Sequence, residues 1–146
     1  MHVFSDEYFM NKALEQAKLA YDEDEVPVGA VITCENKILG KGYNQTQKLK
    51  DVTAHAEMLA ITAATEYLGA KYLNECTLYV TLEPCIMCAG ALAWAQIGRI
   101  VIGAPDIKRG YQRVSASILH PKTIVHQLNG CIDCGLLLKK FFENKR

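Results

Sequence analysis

Cys76-Thr77-Leu78-Tyr79-Val80-Thr81-Leu82-Glu83-Pro84-Cys85-Ile86-Met87-Cys88 passes from strand to helix at one proline. Residues 76–82 are rich in Thr, Val and Tyr, which suit a pleated, half-buried surface, and read as a buried strand. Pro84 can open a helix at no cost, because the N–H it lacks would have had no partner in a first turn. Cys85 and Cys88 are three apart and so share one face, at the end where the helix dipole favours anionic thiolates. The helix over 85–96 is apolar or small nearly all round, from Ile86 and Met87 to Leu92 and Trp94, so it must be covered on every side. One side meets the sheet. The other is expected to meet a second copy of the chain across a two-fold axis, with Trp94 as a plain core residue being the alternative.

Working outward, residues 8–21 place Phe9, Ala13, Leu14 and Ala17 at helical spacing behind Ser5, a cap followed by the acids Asp6 and Glu7. An acidic break at 22–25 precedes two apolar stretches, 26–34 and 37–43, joined by Glu35-Asn36 as an antiparallel hairpin. A polar loop follows over 44–51. Thr53 is the expected cap of a helix running to about Leu68, with Gly69 as its stop. Beyond the central helix come strands at 99–103 and 123–128, then a helix over 131–144 with Leu136, Leu137 and Phe141 facing in.

Alternating helices and strands predict an α/β sandwich on one mixed sheet of five strands. A parallel neighbour needs a crossover of about a dozen residues, while a hairpin needs only a few. The 104–122 connection meets the longer requirement, so the last two strands are expected to run parallel, with a short helix or ordered loop between them. The length of 146 residues, without repeat or linker, predicts one domain spanning 1–146.

His55-Ala56-Glu57 joins the two cysteines to complete a chemical set. Zinc takes thiolate sulfur and imidazole nitrogen readily, and a catalytic site uses three protein ligands so that water can hold the fourth position. His55, Cys85 and Cys88 are the candidate ligands, with one Zn2+ per chain. Glu57 is an unligated carboxylate able to shuttle that water's protons. Only two residues apart, His55 and Glu57 would point to different sides of a helix barrel, so both reach one site only at the helix's open end. A structural zinc knot would need a fourth protein ligand and no free carboxylate nearby. Cys131 and Cys134 with His120 and His126 could form a second site, but Cys134 falls on the inward stripe with Phe141 and reads better as a small buried hydrophobe.

Half the residues are hydrophobic, and no apolar run is long enough to span a bilayer. The first residues lack a signal-peptide pattern, so a cytoplasmic location is expected, and six cysteines there predict reduced thiols and metal rather than disulfides. Net charge is zero, yet residues 1–35 hold eight acids against two bases and 99–146 hold nine bases against three acids. Such asymmetry fits a local phosphate-binding patch or mutual neutralisation of the two ends. Lys108, Arg109, Arg113, Lys145 and Arg146 are the candidate contacts of such a patch to a nucleic-acid backbone. A solvated helix end with cations favoured by the dipole is the alternative for those near the C-terminus.

His-x-Glu followed by Pro-Cys-x-x-Cys is the signature of zinc nucleobase deaminases. With Glu25-Val26-Pro27-Val28-Gly29-Ala30 and Thr53-Ala54-His55-Ala56-Glu57, the quoted stretch resembles the bacterial tRNA-specific adenosine deaminases. The likeness extends over nearly the whole chain, to Phe141-Phe142. It implies a three-layer α/β/α cytidine-deaminase-like sandwich, a homodimer, and hydrolysis of the wobble adenosine of a tRNA anticodon loop to inosine by zinc-activated water. It also implies that Asn44, Val28, Ala56 and Glu83 hold the base. Ala93-Trp94-Ala95-Gln96 and Gly110-Tyr111-Gln112-Arg113, the latter expected near the pocket mouth, depart from the family pattern. A small-molecule deaminase acting on guanine, cytosine or a nucleotide is the rival of the same fold. A noncatalytic RNA-binding module is the rival from another class, against which the intact Glu57 argues.

Overall fold

The computed structural model describes residues 4–145. Ser5 caps helix α1 (Asp6–Asp22), its Oγ accepting from the Tyr8 N–H. Strands β1 (Gly29–Cys34) and β2 (Lys37–Tyr43) pair antiparallel across Glu35 and Asn36, both at the positive φ that a tight two-residue hairpin demands. Helix α2 (Ala56–Leu68) ends at Gly69, whose φ of 65° is the left-handed stop expected of glycine. Strand β3 (Thr77–Leu82), helix α3 (Ile86–Ala95), strands β4 (Arg99–Ala104) and β5 (Ile124–Gln127), and helix α4 (Ile132–Glu143) complete the order.

The sheet runs β2-β1-β3-β4-β5, antiparallel between β1 and β3 and parallel from β3 through β5. It is the expected mixed sheet, and the 104–122 connection is an ordered crossover with short 3-10 turns at Tyr111–Arg113 and Ala116–Ile118. Because strand side chains alternate, one face and the other build separate cores. Ala30, Ile32, Leu78, Val80, Ile100 and Ile102 pack with α2 and α3, while Val31, Tyr79 and Val101 pack with α1 and α4. Each large side chain so buried stabilises the three layers by about 1.5–3 kcal/mol relative to exposure.

Two contacts fix the layers, the first of them at the site. A Cβ on Gly42 of β2 would lie 2.3 Å from the Ala56 carbonyl oxygen, so glycine lets the start of α2 rest directly on the strand. On the opposite face, Asp6 accepts from Arg99 at 2.9 and 2.7 Å and from the Tyr79 hydroxyl at 2.9 Å, tying α1 to β3 and β4.

Thr53 does not cap α2; it bonds Asp51, and His55 holds the cap position. Pro84 lies before the helix rather than within it, since Cys85 is the N-cap of α3. Leu136 faces solvent. Tyr111 is not at a pocket mouth; at 1% exposure it belongs to the α2/α3 core. Trp94 is not core, being 85% exposed. Cys131 and Cys134 are joined as a disulfide, against the expectation of reduced thiols and closing the second-metal alternative: three apart at a helix start, their sulfurs meet each other first. The acidic start and basic end do meet, through Lys145 with Asp24, Asn144 with the Tyr21 hydroxyl at 3.0 Å, and Lys140 over the Tyr21 ring. Arg146 lies outside the described residues. Among the described residues no helix is long and apolar enough to cross a membrane.

Candidate active site

α2 and α3 begin side by side. His55 and Cys85 are their respective N-caps, both in extended backbone, and Cys88 sits one turn into α3. The His55 Nδ1 lies 3.6 Å from Cys85 Sγ and 3.4 Å from Cys88 Sγ. Tetrahedral zinc with its usual bond lengths would hold such nitrogen and sulfur atoms about 3.6 Å apart. The three donor atoms lie within 4.8 Å of one another and form the one cluster of metal-binding type among the described residues. These residues therefore fit a three-ligand ion with an open fourth position.

The local field prepares the thiols. The Cys88 thiol's hydrogen bond, and next the His55 ring, hold Cys85 down to about 4 against its burial. That same hydrogen bond, burial and the neighbouring Glu57 hold Cys88 far up. Cys85 is thus the thiol readier to lose its proton, and metal binding would displace the protons that the ligands carry. His55 is raised, first by its hydrogen bond to Cys85.

Glu57 is the second residue of α2 and only 3% exposed. Burial pushes its carboxyl up to about 7, opposed by its own backbone N–H, the His55 ring and the Cys88 thiol. An acid in that range both takes and returns a proton near neutral pH.

A cavity of about 280 Å³ opens beside this cluster and is lined by His55, Glu57 and Cys85. Val28, Asn44, Ala56 and Glu83, the four residues expected to hold a base, also line it. Asn44 has a second occupation: its Nδ2 donates to the Val26 carbonyl at 3.2 Å and its Oδ1 accepts from the Thr46 N–H at 3.2 Å, a turn that fixes the side chain against the cavity wall. Glu83 spends both carboxylate oxygens on backbone N–H groups, of Asp106 at 3.1 Å and Gln112 at 3.0 Å.

Val26, Thr46, Leu82 and Asp106 line the cavity too, unforeseen from the sequence. The one signal for Asp106 is its place after Pro105 at a strand end, a turn pattern; its Oδ1 accepts from the N–H groups of Lys108 and Arg109. Glu25, read as part of an acidic break, is 1% exposed.

Two wider grooves adjoin the cavity. One, of about 600 Å³, is lined by His55, Cys85, Lys108, Arg109 and Arg113. The other, of about 900 Å³, is lined by Asp106, Lys108, Arg109, Lys139, Phe142 and Lys145. Arg109 borders all three spaces. Arg113 also donates to the Lys108 carbonyl, and Lys145 is paired with Asp24.

Residues 4–104 match the family model of the cytidine and deoxycytidylate deaminase zinc-binding region. The chain is 44% identical over 144 residues to the tRNA-specific adenosine deaminase of Aquifex aeolicus, covering 96% of this chain and 95% of that protein. A solved structure from work on A-to-I editing by tRNA:A34 deaminases at the wobble position of transfer RNA superposes with a TM-score of 0.83 at 38% identity, over 90% of this chain and 99% of that one. Guanine deaminase from Bacillus subtilis is similar at a TM-score of 0.66 and 37% identity, over 69% of this chain and 65% of that one.

Proposed function

We propose that this chain, which belongs to the cytidine and deoxycytidylate deaminase family and within it to the tRNA-specific adenosine deaminases, hydrolyses adenosine to inosine at the wobble position of a tRNA anticodon. The observation that carries the choice of a polynucleotide over a free base is the pair of basic grooves meeting at Arg109. A free base needs only the cavity of about 280 Å³. A nucleotide flipped out of a loop also needs room and counter-charge for the backbone on either side of it.

The reaction follows from the side chains. His55, Cys85 and Cys88 would hold one zinc ion per chain, and zinc when bound supplies the Lewis acidity that brings a water's pKa toward 7. Glu57 takes the proton as the water oxygen bonds to C6 of the adenine. It returns that proton to the ring nitrogen N1, then carries the proton of the new C6 hydroxyl to the exocyclic amine, so that C6 becomes a carbonyl as the C6–N bond breaks and ammonia leaves. Val28, Ala56 and Asn44, which line the cavity, hold the base.

Exposed Trp94, Ile86 and Met87 on α3 support the reading as a homodimer. Sedimentation should show a dimer at micromolar concentration, and a monomer would refute it. A tRNA substrate supports a cytoplasmic location.

An anticodon stem-loop carrying adenosine at the wobble position, incubated with the zinc-loaded chain, should yield inosine. Ammonia from free guanine, cytosine or a nucleotide, without inosine in RNA, would establish the small-molecule alternative. Tight RNA binding with no ammonia would establish the noncatalytic one.

A further inference from the structure

Two buried carboxylates stand outside the chemistry just described. Glu25 is 1% and Glu83 7% exposed, and a charge taken from water must be compensated by close hydrogen bonds. Neither has a cation as its bonded partner. Each instead accepts from two backbone N–H groups of one loop: Glu25 from Gln47 at 3.1 Å and Lys48 at 2.7 Å, Glu83 from Asp106 at 3.1 Å and Gln112 at 3.0 Å.

The two anchors are related by the sheet. Glu25 leads into β1 and holds the loop leaving its neighbour β2; Glu83 follows β3 and holds the loop leaving its neighbour β4. The first loop brings Asn44 and Thr46 to the cavity, and the second brings Asp106 and Arg109. The second loop is seated directly on its anchor, since a Cβ on Gly110 would lie 2.2 Å from the Glu83 Oε2. We propose that Glu25 and Glu83 are a matched pair of positioning residues, each fixing from an inner strand one of the two loops that close the base pocket.

The chemistry demands a carboxylate of this length. Two N–H groups need two acceptors, and an ionised Glu offers only acceptors. Gln keeps the volume but aims an NH2 at one of the N–H groups. Asp falls a methylene short. Loops held this way reach the substrate already formed, so the ordering cost is not charged to binding.

The inference rests on the deaminase reading, and its test separates the two. On the zinc-loaded chain, amide hydrogen exchange should show Gln47, Lys48, Asp106 and Gln112 protected. Exchange as fast as at exposed loop amides would overturn the anchors whatever the chain's activity, and without any variant. With the anticodon stem-loop as substrate, Glu25→Gln should lower kcat/KM by about 10–100-fold at unchanged zinc content, speeding exchange at Gln47 and Lys48 only. Glu83→Gln should do the same at Asp106 and Gln112. Combining Glu25→Gln with Asn44→Ala should cost no more than the worse single change, because both act through one loop. Fully multiplicative losses would assign Glu25 a merely structural role, and losses that track thermal stability across the set would assign that role to both carboxylates. A wild-type chain that makes no inosine would instead refute the deaminase reading and leave the exchange result standing.

Discussion

His55 and Cys85 hold the same place on two different helices: each is the residue before its first turn, and their Nδ1 and Sγ atoms stand 3.6 Å apart. Residues far apart in sequence meet because α2 and α3 lie on one face of the sheet and start at the same end. Each helix N-terminus carries roughly half a positive charge, which favours the thiolates gathered there.

Removing one ligand should therefore empty the site without dismantling the fold. His55→Ala and Cys85→Ala are each expected to weaken zinc binding by more than about 100-fold, since even changes beyond the ligands cost roughly 10–100-fold. Metal analysis after dialysis should show zinc falling well below one per chain, with inosine formation falling alongside. Retention of full zinc by either variant would contradict the assignment.

Glu57→Gln keeps the side chain's volume and removes its ability to take a proton. Turnover on the stem-loop should drop by roughly 10²–10⁴-fold, the usual worth of a positioned acid–base. Zinc content and the circular dichroism spectrum should match wild type. Activity within tenfold of wild type would mean that another group moves the proton.

The ligands were legible in the sequence because their signal is local: two cysteines one turn apart and a histidine beside a carboxylate. The sheet was legible because β1, β3 and β4 alternate or run apolar between clear turns. Glu25 was not legible, because its partners are backbone groups at Gln47 and Lys48, more than twenty positions on. Its acidic neighbours made it look solvated. The family pattern puts Tyr111 near a pocket mouth, yet its backbone N–H bonds the Pro84 carbonyl and its ring turns into the core. Periodicity carries no information about a loop residue that folds back across such a distance.

Asp6 supplies a pH signature away from the active site. The Arg99 guanidinium, and next the Tyr79 hydroxyl, hold its carboxyl below the ordinary 3.8 against partial burial. Stability from this contact is therefore present above about pH 4, and is lost as the pH falls through the lowered native value. The pair is partly exposed, so after solvent screening it is worth about 1 kcal/mol or less. Asp6→Asn should lower the melting temperature at pH 7 and approach wild type in strong acid. A constant difference at all pH values would refute the linkage.

Gly42→Ala tests whether the close seat of α2 on β2 places the ligands. The added methyl meets backbone at 2.3 Å and 2.8 Å, atoms that cannot rotate away, so a loss of about 1–3 kcal/mol is expected with weaker zinc binding. Gly135 is the control. A Cβ there meets nothing within 4 Å, and Gly135→Ala within α4 should stabilise by about 0.5–1 kcal/mol. Chemical denaturation of both variants decides it, and equal effects would show that contact distance is not the cause.

Arg109 and Lys145 separate a cation that faces substrate from one that braces the fold. Arg109 borders the cavity and both grooves, whereas Lys145 is held by Asp24 across the α1–α4 contact. A released phosphate contact on a single strand lowers the slope of log affinity against log salt by about 0.7. Arg109→Ala should therefore weaken stem-loop binding and flatten the salt dependence by about that amount. Lys145→Ala should change the slope by much less and the melting temperature instead, because its charge is already matched within the chain. Equal flattening by the two variants would place Lys145 on the RNA path and give its pairing with Asp24 the role of a contact that opens on binding.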